Sequence, residues 1–210
     1  MKIHLMHKLL VFFVATVLLA SCQKEVADTG SGSGTGVTPP AAQKPKVGTT
    51  WTYNYTTFYA SGGIETIKTL TYRAKEEETL GGEKWLNIVD VATDTTVFKL
   101  NSKTGGLFQY TNNSSYLLCK QPAAVNDTYN TFNAGSAEVF TVKSVNDTLA
   151  TGIGKKPANY YEGVVGGTLI DFIWYNDNAW IVHKILWRKL APPSTAYFRY
   201  STLYISSIVY

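Results

Sequence analysis

Polar and aromatic side chains alternate along residues 50–59. Trp51, Tyr53, Tyr55, Thr57 and Tyr59 fall on one face of an extended chain, and Thr50, Thr52, Asn54 and Thr56 on the other. A period of two with one aromatic and one hydroxyl-rich face specifies a β-strand buried on one side and wet on the other. The same texture continues past Pro45 in short runs of Thr, Tyr, Val, Ile, Phe and Trp, the residues that favour strands. Gly62-Gly63, Gly81-Gly82, Gly105-Gly106 and Gly166-Gly167 each separate two such runs. Glycine reaches positive φ without steric cost, so these pairs suit tight hairpin turns. No segment of ten residues or more carries a 3.6-residue period. The most helix-like stretch, Arg73 to Leu80, runs into Gly81-Gly82 and reads as a charged strand end. The expected fold is all-β: a single antiparallel meander over residues 45–210, forming a curled sheet or a half-open or closed barrel. About 165 residues suffice for one core that buries about 70 % of the unfolded surface.

Further strands are expected at Glu83–Val91, Thr95–Leu100, Leu107–Thr111, Tyr116–Cys119, Ala137–Val145 and Tyr160–Val165. Val125-Asn126-Asp127-Thr128 recurs as Val145-Asn146-Asp147-Thr148, which reads as two Asn-Asp turns ending similar hairpins. In the last third, Thr168–Tyr175 and Trp180–Arg188 flank Asn176-Asp177-Asn178-Ala179. A four-residue loop there sets Phe172 opposite His183, Trp174 opposite Ile181 and Asp171 opposite Lys184. Both faces of this hairpin are apolar, and so are both faces of the last strand, Tyr197 to Tyr210. Strands apolar on both sides need a cover on each: another layer of sheet, the far wall of a barrel, a ligand or a partner.

Few residues offer chemistry. His183 is the one histidine beyond His4 and His7, and its strand face, with Ile181, Ile185 and Trp187, points to an inward, hydrogen-bonded core residue. No Gly-x-Ser-x-Gly elbow accompanies it. Glu76, Glu77 and Glu78 alternate between faces beside Arg73 and Lys75, a solvated charged strand end rather than a facing carboxylate pair. Asp171 is expected to form a structural pair with Lys184. Cys119, in Tyr116-Leu117-Leu118-Cys119, reads as a small buried hydrophobe. Gly152-Ile153-Gly154-Lys155-Lys156 resembles an anion loop only until Pro157 replaces the helix that would follow, and reads as a basic turn. No His/Cys cluster or Asp-rich loop indicates a metal, and no cofactor motif is present. The surplus signal is aromatic, with 14 Tyr and 5 Trp. Those on the two-faced strands, Trp174, Tyr175, Trp180, Trp187, Tyr200 and Tyr204, form the candidate ligand or partner surface.

The N-terminal region follows different rules. Lys2 and Lys8 precede an apolar run from Leu9 to Ala20, too short for a bilayer span and ended by small residues, which reads as a secretory signal covering residues 1–21. Residues 22–44, rich in Gly, Ser, Thr and Pro, read as a flexible tether holding the domain roughly 25 Å from its attachment point. Without Lys2 and Lys8 the chain carries 17 basic and 15 acidic residues, scattered, which makes no electrostatic case for nucleic acid or an anionic membrane surface.

Leu19-Ala20-Ser21-Cys22 resembles the lipobox of bacterial lipoproteins, which implies a diacylglyceryl group on Cys22 and a membrane-anchored mature chain. Gln23 in place of Asp implies, by the same resemblance, sorting to the outer membrane. Acylation would consume Cys22 and leave Cys119 without a disulfide partner. Lys46-Val47-Gly48-Thr49-Thr50-Trp51-Thr52-Tyr53 looks like the Gly-x-x-Trp-x-Tyr opening of β-rich bacterial lipoproteins, some of which have a half-open barrel around an acyl-chain cavity. It is also similar to the lipocalin Gly-x-Trp opening, which would imply that Arg199 packs near Trp51. The expected function is a non-enzymatic domain binding an apolar, lipid-like ligand. The rivals are an adaptor docking on another envelope protein, and a hydrolase without a recognisable motif. Cys22→Ala is expected to release the protein from membranes, and fractionation that finds it still tightly attached would refute the anchor.

Overall fold

The computed structural model describes residues 43–133 and 135–210. The signal segment, Cys22 and all but the end of the expected tether lie outside them. Twelve strands form one antiparallel sheet in the order β6-β5-β4-β3-β2-β1-β12-β11-β10-β9-β8-β7. They are β1 (Thr50–Phe58), β2 (Ile64–Leu80), β3 (Glu83–Asp90), β4 (Thr96–Lys103), β5 (Gly105–Thr111), β6 (Ser114–Gln121), β7 (Thr128–Asn133), β8 (Ser136–Thr151), β9 (Gly154–Val165), β10 (Thr168–Asn176), β11 (Trp180–Lys189) and β12 (Tyr197–Val209). Each strand pairs with its sequence neighbour except β6 with β7, and β1 pairs with β12 from Thr50↔Val209 to Thr57↔Ser201. The sheet therefore curls into a barrel closed everywhere but one seam, and the described residues contain no helix. Residues 41–210 constitute one compact unit by themselves.

The glycine pairs lie where the turns lie, and Gly62, Gly81, Gly82, Gly105, Gly106, Gly166 and Gly167 all take positive φ. Asn112 and Asn113, φ 49° and 56°, supply the two left-handed residues of the β5–β6 turn. Arg73–Leu80 is the far half of β2, and its carboxylates are ion-paired as a charged strand would have them: Glu77 with Lys84 at 3.2 Å and Glu78 with Lys99 at 2.9 Å. β7 had no counterpart among the expected strands, since its Thr-Tyr-Asn-Thr-Phe-Asn sequence spaces its two aromatic residues three apart instead of alternating them, which hides the strand period.

The Asn-Asp echo ends no hairpin. Asn126 lies in the β6–β7 connection, where its N–H donates to the Val142 carbonyl at 2.8 Å, whereas Asn146 forms a bulge inside β8. Both asparagines are left-handed, φ 71° and 56°, and that shared backbone conformation accounts for the repeated residues. The bulge bends the β8–β9 hairpin so that its tip docks on β12. There the Gly152 N–H donates to the Ile205 carbonyl at 3.1 Å, and the Tyr204 hydroxyl donates to the Ala150 carbonyl.

The seam between β6 and β7 is closed by side chains. The Tyr129 hydroxyl donates to the Leu118 carbonyl at 2.9 Å and the Tyr161 hydroxyl to the Lys120 carbonyl at 2.6 Å. Asn159 Nδ2 donates to Gln121 Oε1 at 2.8 Å, Lys120 pairs with Asp127 at 2.9 Å, and Tyr116 packs on Phe132. Carbonyls along an open sheet edge would otherwise be lost to solvent or to another chain. Cys119 is fully buried beside this seam, its thiol pushed well above the ordinary range by burial.

A Cβ at position 152 would lie 2.5 Å from the Ser206 Cα. Gly152→Ala is therefore expected to lift the β8–β9 tip off β12 at a cost of about 1–3 kcal/mol. A urea titration would register that loss, and an unchanged midpoint would mean that the close approach contributes nothing.

Candidate binding site in the barrel interior

β1 supplies the floor. Its aromatic face turns inward as the alternation demands, burying Trp51 and Tyr53, while Tyr59 runs past the barrel and is exposed. Trp51 reaches across β12 inside the barrel, donates its indole N–H to the Ala179 carbonyl at 3.0 Å and stacks on Trp180 with ring centroids 5.4 Å apart. The Tyr53 hydroxyl donates to the Ile181 carbonyl at 2.9 Å. Arg199 is not the partner of Trp51. It lies at the opposite end of β1, its guanidinium over the Phe58 ring, because β1 and β12 run antiparallel and position 199 falls beyond Thr57↔Ser201.

The β10–β11 hairpin is tighter than a four-residue loop. Asn176 pairs with Trp180, leaving three residues in the turn, and a bulge follows between Trp174/Tyr175 and β11. Asn176 Oδ1 organises the turn by accepting from the N–H groups of Asn178 and Ala179. The register thereby shifts two residues from the four-residue expectation: Trp174 faces His183 and Phe172 faces Ile185. Trp180 closes the turn with φ +63°, a conformation costly for a bulky residue and held here by the Trp51 stack. The Asp171–Lys184 pair survives the shift diagonally, at 2.9 Å, with Asp171 fully buried.

A cavity of about 60 Å³ remains in the barrel. Trp51, Trp180, Tyr53, Tyr72 and Phe98 form its aromatic walls, and Ile88, Leu100, Leu118, Ile181 and Leu203 its aliphatic ones. Tyr72 bridges Tyr53 and Phe98 in a tilted and edge-on series. Burial holds the Tyr53 hydroxyl far above its ordinary pKa and raises that of Tyr72 to about 12, so both are neutral donors. Two polar side chains, Gln109 and Lys184, share the lining. Gln109 Oε1 and Trp180 Nε1 are buried without a hydrogen-bond partner among the described residues.

The six aromatic residues expected to share one surface do not. Trp180 lines the cavity, and Tyr175 is buried inside with its hydroxyl donating to Asp177 Oδ1 at 3.0 Å. Trp174 and Tyr204 lie on the outer face. Trp187 packs on Phe172 there, and Tyr200 carries the Arg188 guanidinium 3.5 Å above its ring. The cause is the strand period: adjacent residues such as Trp174 and Tyr175 point to opposite faces, so a run of aromatics is divided between inside and outside.

His183 is likewise outward, not inward, since it alternates with the cavity-lining Lys184. It continues a row of rings across four strands: Tyr160 on Trp174 at 4.4 Å, Trp174 on His183 at 4.6 Å, His183 against Tyr204 at 5.4 Å. Burial in this stack lowers its pKa to about 4, leaving the imidazole neutral at pH 7. Among the cavity residues, Tyr72, Phe98, Gln109 and Leu203 were not singled out from sequence; only strand pairing back to Trp51 and Tyr53 would have found them. Among the described residues no group of acidic, His or Cys side chains is arranged to hold a metal. Comparison with known protein families, with curated proteins and with solved structures finds no match for this chain.

Removing one partner of the buried pair strands the other's charge. Lys184→Met is expected to destabilise by about 3–5 kcal/mol, whereas Lys184→Met with Asp171→Leu recovers most of that loss. A denaturation double-mutant cycle reads both, and additive losses would show that the two groups are not coupled.

Proposed function

We propose that the domain is a non-enzymatic binding module that holds a compact apolar ligand inside the barrel, on a chain carried at the outer membrane by acylated Cys22. The observation that carries this reading is the cavity itself. Its walls are aromatic and aliphatic, and two buried polar atoms beside them, Trp180 Nε1 and Gln109 Oε1, are left for a guest to satisfy. Native pockets combine largely apolar walls with a few placed polar groups in this way. The strained Trp180 backbone supports it, because strain of this kind is retained where surroundings hold a side chain for a purpose. Size narrows the ligand. At about 60 Å³ the space is smaller than the roughly 150 Å³ apolar cavity that takes up benzene, so the guest inserts a small ring or a short branched group, not an entire acyl chain.

A second reading, an adaptor docking on another envelope protein, draws on the outer face of β9–β12. There the Tyr160–Trp174–His183–Tyr204 row and the neighbouring Phe172–Trp187 contact are only partly buried. Rings of this kind, rigid and amphipathic, are the side chains that protein interfaces favour.

Native mass spectrometry of residues 41–210, gently purified from the host, separates the two. The binding reading expects a monomer with added mass that organic extraction removes, and expects Leu203→Trp, which fills the cavity, to abolish it. A bare monomer whose properties Leu203→Trp leaves unchanged would sink that reading, and a bare dimer broken by Trp174→Ser would favour the adaptor.

A further inference from the structure

The barrel end away from Lys44 and the β10–β11 turn carries a second site, independent of the interior cavity and of Cys22. There the β1–β2 turn, Tyr59–Gly63, meets the end of β11 and the start of β12 around a groove of about 400 Å³ lined by Phe58, Ala60, Ser61, Trp187, Phe198 and Arg199. Two guanidiniums sit over aromatic rings at this end of β11 and β12: Arg199 at 4.1 Å from the Phe58 centroid and Arg188 at 3.5 Å from that of Tyr200. Lys189 follows Arg188 at the end of β11. Among the described residues none of these three cations has a carboxylate within ion-pairing distance, although nine such pairs form elsewhere. The one carboxylate on the neighbouring hairpin tip is the exposed Glu65.

Beside the groove the β1–β2 hairpin overshoots the barrel. β3 pairs with β2 only from Tyr72 onward, so residues 64–71 have β1 on one side and no strand on the other. This projecting tip exposes Tyr59 by 54 %, Ile64 by 57 % and Ile67 by 68 %. An aliphatic tip, an aromatic girdle and unpaired guanidiniums thus converge on one end of the molecule.

We infer that this end docks on the surface of a bilayer containing anionic phospholipid. The chemistry matches layer by layer. Guanidiniums bind phosphate oxygens bidentately, and their stacking on Phe58 and Tyr200 presents the fork ready-made. Trp187, Phe198 and Tyr59 have the amphipathic rings that settle at headgroup depth, and Ile64 and Ile67 extend toward the acyl boundary. The near-balanced total charge concealed this: the cations are spread along the sequence at 188, 189 and 199, and only the antiparallel β11–β12 pairing, Trp187↔Arg199 and Arg188↔Phe198, gathers them.

Flotation of residues 41–210 with lipid vesicles tests the inference without any contribution from the anchor. The segment is expected to float with phosphatidylcholine vesicles containing roughly 30 % phosphatidylglycerol and not with phosphatidylcholine alone, and to be released as salt rises from about 0.1 to 0.5 M. Arg188→Gln with Arg199→Gln should weaken partitioning about 25-fold, at roughly fivefold per charge. Ile64→Ser with Ile67→Ser should weaken it on a hairpin tip that bears none of the core. Lys155→Gln with Lys156→Gln, at the start of β9 beside the β8–β9 turn at the other end, should leave it unchanged. Failure to float with the anionic vesicles overturns the inference. So does equal flotation with phosphatidylcholine alone, or a loss from the Lys155/Lys156 pair as large as that from the arginines.

Discussion

The pairing of β1 with β12 is the contact on which the rest of the molecule depends. Every other ladder joins neighbours in sequence, and those ladders alone give two separate six-stranded ribbons, β1–β6 and β7–β12, with four edges and no inside. Joining the first strand to the last fuses the two halves into one twelve-stranded sheet. The two edges that remain, β6 and β7, then face each other at the midpoint of the chain. The interior exists only because of that closure. Trp51 and Trp180 come from opposite ends of the sequence and stack because β12 lies between their strands.

Closure leaves polar groups inside, and their treatment divides the barrel into two regions. Along the seam, Tyr129, Tyr161 and Asn159 satisfy the carbonyls and amide of the β6 edge, so the missing ladder is replaced by side-chain hydrogen bonds of good length. Near the cavity, Asp171 is fully buried and held by Lys184, whereas Gln109 Oε1 and Trp180 Nε1 are left without partners among the described residues. A core built for stability alone would satisfy or remove such atoms. Gln109 Oε1 and Trp180 Nε1 sit beside the space walled by stacked rings, while others, such as Thr131 Oγ1 and Ser144 Oγ, lie away from it.

Much of the architecture could be read from particular residues. The Trp51–Tyr59 alternation predicted a strand with an aromatic inner face, the glycine pairs predicted the turns, and the burial of Cys119 and the Asp171–Lys184 pair followed from local pattern. The misreadings have two origins, register and strand period. A three-residue turn with a bulge replaced the four-residue loop, and this moved Trp174 from Ile181 to His183. A one-residue difference in a bulge decides which face a side chain occupies, and no propensity encodes it. Strand period accounts for the others: His183 alternates with the cavity-lining Lys184 and so joins an outer ring stack, and the six aromatic residues expected on one surface were divided between two faces and an end.

By itself the sequence determined the all-β class, the hairpin order and the inward face of β1, because side-chain period and glycine conformation act over a few residues. Tertiary structure alone decided that the meander closes, where its seam lies, which rings surround the cavity and that Arg188, Lys189 and Arg199 gather at one end of β11 and β12 without a carboxylate partner among the described residues. Those features depend on strand-to-strand register and on contacts between residues far apart in sequence, such as the Ser206 hydroxyl donating to the Thr52 carbonyl 154 positions away. Local pattern carries no term for such distances; they are set by how the whole sheet must twist and bulge to bury its aromatic face.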